Sequence, residues 1–263
     1  MTRMFKSELL KLRRRRTLIA AGLAALAFAV IATVAVLLSA GSAGGGGSQS
    51  RGPTLASLAE PGGATEAFST GASFIGILVL VLFIANFAGE FSQGTFRTLL
   101  MRQPRRIGLL AGKMAALLVF VAGTLALAAL MSVVASLAFA PTQDISTASW
   151  LTLDGLGEAA ASYGTALLVV TAWASLGAAL AVLVRSAPIA LGIGIAWSGP
   201  IEHLTMDFWS SAIQWFPGLL LERLADGGSA DVSSSHALLV LAVYVSAAAA
   251  AAALSFRRRD LTA

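Results

Sequence analysis

Six apolar stretches divide this chain, and its positive charge is sorted strictly between them. With the N-terminus taken as inside, sixteen of the eighteen Lys and Arg residues fall in inside segments. Arg3, Lys6, Lys11 and Arg13 to Arg16 precede the first stretch. Arg97, Arg102, Arg105, Arg106 and Lys113 lie between the second and third, Arg185 between the fourth and fifth, and Arg257 to Arg259 after the sixth. Only Arg51 and Arg223 fall outside. Retention of Lys and Arg in cytoplasmic loops orients membrane helices. The pattern therefore predicts an all-α polytopic protein of the bacterial plasma (inner) membrane, with six transmembrane helices and both termini cytoplasmic.

Composition agrees. The chain has 263 residues, 57% hydrophobic and only 12% charged, against the roughly 25% charge of a soluble domain. The net charge of +5 is explained by topology and does not call for a nucleic-acid partner. There is no cysteine, which excludes disulfides, thiolate metal sites and a cysteine nucleophile.

The predicted spans are residues 17–39, 71–88, 114–140, 159–184, 189–201 and 237–256. The first is 23 uncharged residues, about 35 Å of helix, enough to cross a hydrocarbon core of about 30 Å. It is too long for the core of a cleaved signal peptide, so an uncleaved anchor is expected. Residues 1–16 are basic, with Met4, Phe5, Leu9, Leu10 and Leu12 interleaved. They form either an interfacial helix on the anionic inner leaflet or simply an orientation signal. Residues 41–70, rich in Gly and Ser, read as a flexible outside loop. The segment 204–235 is outside and carries Trp209, Trp215 and Phe216, which suits interfacial or re-entrant helices. Gly177, Gly192 and Gly194 would permit close helix contact.

Sites for chemistry within the chain are scarce. No ionisable residue lies deep in a predicted span, which argues against a channel or secondary carrier that must bind charge in the membrane. Asn86 is the strongly polar side chain inside a span, and it either lines a pathway or bonds to a neighbouring helix. The run Gly108-Leu109-Leu110-Ala111-Gly112-Lys113-Met114 is not a phosphate loop. It has three residues between the glycines where four are needed, and Met follows the Lys. No catalytic residue and no metal site is predicted, so any ATP hydrolysis belongs to a partner.

The inside loop between the second and third spans is richer. Thr95 suits an N-cap, and residues 96–102 a short helix stopped before Pro104. Phe96, Leu99 and Leu100 give it apolar knobs and Arg97 a charge, a pattern fit for docking into a groove. The run Glu90, Gly94-Thr95, Leu99-Leu100, Pro104-Arg105-Arg106 and Gly112-Lys113 resembles the permease subunits of type-2 ABC exporters, and the likeness in layout extends along the whole chain. The resemblance implies the transmembrane fold of that family and a cytoplasmic coupling helix within 90–102, in which Glu90, Phe91, Gly94, Thr95, Phe96, Arg97, Leu99 and Leu100 meet the ATPase. It also implies two ABC ATPase subunits that bind ATP and Mg, a second permease chain (identical or related), and export of a hydrophobic or amphiphilic cargo such as a drug, lipid-like molecule or peptide by alternating access.

Overall fold

The computed structural model describes residues 2–42, 53–92, 106–228 and 232–258. These are mainly helical, with no strand among them. The α-helices are α1 (Thr2–Leu12), α2 (Arg15–Ser42), α3 (Leu55–Leu58), α4 (Glu66–Thr70), α5 (Ala72–Ser92), α6 (Arg106–Phe139), α7 (Leu153–Val184), α8 (Ala187–Ala196), α9 (Glu202–Phe208), α10 (Pro217–Ala225) and α11 (Ser234–Arg258). Five segments among the described residues are long and apolar enough to cross a membrane: Arg15–Ala40, Pro61–Ser92, Ile107–Gln143, Leu153–Val184 and Ser234–Arg257. The molecule has the character of a polytopic membrane protein. Its outward-turned apolar side chains fit that solvent. Leu18, Leu23, Ile31 and Leu38 on α2, and Leu239, Val243 and Leu254 on α11, are exposed, a surface that water would penalise and hydrocarbon accepts.

The expected fifth span is not one of these five. Its apolar run 189–201 makes only the ten-residue α8 and then a π turn, Trp197–Ile201, leading into α9. Pro200 lies inside that turn. Its ring cannot donate a backbone hydrogen bond and crowds the preceding carbonyls, so the regular ladder is interrupted. The other spans are longer than the apolar runs alone suggested. In particular α5 continues to Ser92 and α6 begins at Arg106. Glu90 and Lys113 therefore stand on span helices rather than in a loop.

The chain divides into two compact units. One comprises Leu12–Ala72 and Val121–Leu167. Within it Val36, Ala40, Leu58, Ala64, Ala67, Ala140, Ile145 and Trp150 form an apolar cluster. Trp150 Nε1 donates to the Leu58 carbonyl at 3.0 Å and Ser149 Oγ to the Ala59 carbonyl at 2.6 Å. Residues 53–70 are thus not the flexible loop their composition implied. Thr54 and Ser57 form a reciprocal capping box that starts α3, and burial of Trp150 holds the short helices in place.

The other unit comprises Met1–Lys11, Ser73–Phe120 and Leu168–Ala263. Here α5 packs closely on α7. A Cβ on Gly177 would stand 2.8 Å from the Leu80 carbonyl oxygen, so only glycine permits that approach. Gly194 likewise faces Ile84. Both glycines serve contacts within the chain.

Candidate functional site at the end of α5

Phe87, Glu90 and Phe91 are spaced to share one face of α5, since residues three and four apart are helical neighbours. Each meets a cation. Lys113 on α6 is 1% exposed. Its Nζ lies 2.5 Å from Glu90 Oε1 and 5.4 Å from the centre of the Phe87 ring. The same Nζ is 3.9 Å from Glu8 Oε2 on α1, and Glu8 Oε1 is 2.5 Å from Lys11 Nζ. Lys11, Glu8, Lys113 and Glu90 thus form a row of alternating charge across three helices. Its inner members are nearly sealed from solvent, where an ion is tolerated only when paired. Beside it, the Arg185 guanidinium sits 5.5 Å over the Phe91 ring, and Phe256 of α11 meets that ring edge-on at 6.1 Å. Arg185 adopts the left-handed conformation, φ 59°, which ends α7 and turns the chain into α8. The last turn of α5 is therefore held by α6, α11 and the α7–α8 turn, with α1 joined to it through Lys113.

Residues 49–262 match the family described as "Protein of unknown function (DUF2705)". The chain belongs to this family. No curated protein matches it. The matched stretch includes Glu90, Phe91, Lys113, Arg185 and Phe256 and begins after α1.

Of the residues expected to couple to an ATPase, Glu90 and Phe91 stand in this cluster. Gly94, Thr95, Phe96, Arg97, Leu99 and Leu100, with the expected helix at 96–102, lie outside the described residues. Among the described residues, the hydrogen bond seen for Asn86 is within its own helix. Its Nδ2 donates to the Leu82 carbonyl of its own helix at 3.0 Å. The sequence reading passed over Glu8, Arg185 and Phe256, and marked Lys113 only as part of a motif. One signal was present: Glu8, Glu90 and Asp260 are the acids on the strongly basic side of the charge pattern, and two of the three converge on Lys113.

On α1, Met4 is buried and Phe5, Leu9 and Leu12 are half-buried. Met4 and Glu8 are its buried residues, while Leu10 is 67% exposed. Glu8 shares that inward side and faces Lys113.

A second buried carboxylate, Glu202, lies outside the five candidate spans. It is fully buried, and its Oε2 accepts from the Leu219 N–H at 2.9 Å, at the N-terminus of α10, where backbone N–H groups are otherwise unsatisfied. A Cβ on Gly218 would stand 2.3 Å from that oxygen, so glycine makes room for the carboxylate. Burial pushes the Glu202 carboxyl from 4.5 up to about 7, with the Leu219 and Gly218 amides and the Trp197 side chain pulling the other way. Nearby, Glu222 is also raised by burial and held back by His203, whose Nε2 is 3.3 Å away. Phe216 packs against Trp197 and Trp209, and His236 bonds to the Gln214 carbonyl. No group of three or more His, Cys, Asp or Glu residues suited to a metal occurs among the described residues.

Proposed function

We propose that this protein is the transmembrane permease subunit of an ATP-driven exporter in the bacterial plasma membrane. In this reading both termini are cytoplasmic, two permease chains pair, and two separate ATPase subunits bind ATP and Mg beneath them. The segment 90–102 is the lever on which the ATPases act. The cargo is hydrophobic or amphiphilic and leaves the cell as the paired bundle alternates its opening.

The observation that carries the reading is the anchoring of the lever's stem. A loop that transmits force needs a root that does not fray. The end of α5 is fixed by the Lys113–Glu90 pair and by the stacking of Arg185 and Phe256 on Phe91, so a push on the loop is delivered to α6 and α11, both candidate spans. The charge sorting supplies the side on which the lever stands. The short α8, the π turn and α9 to α10, with their aromatic residues, suit a helical hairpin at the outer membrane interface.

Co-purification tests the proposal. The tagged full-length chain, extracted in mild detergent from its native host, should carry an ATPase with a phosphate loop. Phe96→Ala or Arg97→Ala should lower the recovered ATPase about tenfold, the loss of one or two anchoring contacts, with the chain's own yield unchanged. An undiminished complex in both variants would remove the coupling role from this loop.

A further inference from the structure

The four-member charge row has one end in the protein and one at its surface. Lys113, Glu8 and Glu90 are enclosed, with side chains 2%, 4% and 15% exposed, while the Lys11 side chain is 55% exposed. Lys11 shares the outward side of α1 with exposed Lys6 and Leu10, and Arg13 to Arg16 follow in the chain. Cations flanking an exposed leucine on a short helix match the charge and polarity of an anionic phospholipid surface. We infer that α1 reads the anionic charge of the membrane surface and passes it to the last turn of α5 through Lys11, Glu8, Lys113 and Glu90.

The geometry gives the direction of the effect. Lys11 has two competing anions, the Glu8 carboxylate and a lipid phosphate. When a phosphate draws Lys11 away, Glu8 stays buried and its remaining cation is Lys113, 3.9 Å distant. An uncompensated buried carboxylate is costly, so Lys113 shifts toward Glu8 and its hold on Glu90 weakens. Anionic lipid therefore loosens the last turn of α5. The functional importance of that loosening rests on the proposed role of residues 90–102, but the relay itself does not.

The test is hydrogen exchange on the full-length chain in nanodiscs of phosphatidylcholine alone and of phosphatidylcholine mixed with phosphatidylglycerol. Backbone amides of residues 86–92 should exchange about fivefold faster in the anionic mixture, the lower end of ordinary coupling between sites. Lys11→Met leaves Glu8 permanently dependent on Lys113. It should show the faster exchange in both lipids, and Lys11→Arg should restore the lipid response. Lys11 is half-exposed, so these variants should fold. Exchange at 86–92 that ignores lipid in the unmodified chain, or that stays slow in both lipids in Lys11→Met, overturns the relay. So does a lipid response that Lys11→Met leaves intact. The readout requires no ATPase: a preserved response with no ATPase partner would sink the exporter reading and leave the relay standing.

Discussion

Glu90 and Glu202 are both carboxylates drawn out of water, and they are stabilised by opposite means. Glu90, with Glu8, shares a lysine ammonium on a flexible stem. Glu202 has backbone amides at a helix N-terminus and, among the described residues, no ion pair. A side-chain cation can move between partners, so the α5 site is adjustable. Amides fixed in a helix cannot follow the charge, so burial is relieved at Glu202 by taking up a proton near neutral pH. The same residue type thus makes a movable joint in one place and a titrating clasp in the other.

The largest test of this contrast is removal of the shared cation. Lys113→Met takes the 2.5 Å cation from Glu90 and leaves Glu8 with Lys11, and breaking a buried pair from one side costs about 3–5 kcal/mol. A thermal melt in nanodiscs should show that loss, and adding Glu90→Gln should recover most of it, because the carboxylate that lost its nearest cation is then neutral. A silent Lys113→Met would mean that the joint carries no load.

Next is Gly218→Ala. The new methyl would stand 2.3 Å from Glu202 Oε2, so the carboxylate must leave the Leu219 amide. A lost hydrogen bond to a charged group costs about 2 kcal/mol, read as a lower melting temperature. Glu202→Gln combined with Gly218→Ala should not restore it, since the amide is as bulky as the carboxylate.

The pH dependence separates the two sites further. A carboxyl raised in the fold binds a proton that the unfolded chain has released. Stability should therefore fall as pH rises from 4.5 to about 7 and level off above. Allowing for solvent screening, the drop is about 2 kcal/mol. Glu202→Gln should flatten most of the slope in melts across that range. A residual slope of the same sign is expected from Glu222, whose carboxyl is also raised by burial. A slope unchanged by Glu202→Gln would remove the clasp from the account.

The smallest expected effect is at Asn86. Its amide bonds to its own helix, so Asn86→Leu should change stability by no more than about 0.5 kcal/mol, as substitutions away from buried networks do. A large loss would place a partner on that side chain.

The sequence made the spanning-length helices readable because hydrocarbon thickness selects long, uniform apolar segments. Five of the six stretches became helices of spanning length on that ground alone. The 189–201 run is mostly apolar, while Pro200 interrupts its helix locally, so it stays short of spanning length. Residues 53–70 differ in the opposite direction. Their Gly, Ser and Pro content reads as loop, but Trp150, ninety-two positions from Leu58, supplies the packing that orders them. The α5 cluster was half legible. Glu90 and Phe91 stood out through a motif, whereas Glu8 looked like an ordinary surface acid until α1 came back against α6. Pairings between distant positions leave no periodic trace in a single sequence.

The account depends most on which side of the membrane the 90–102 segment faces. The chain has no cysteine, so Thr98→Cys gives a single thiol for a membrane-impermeant maleimide. The thiol should label in inside-out vesicles, stay unlabelled in intact cells or spheroplasts, and be shielded when the ATPase is bound. Labelling from the outer side of intact cells would contradict the account.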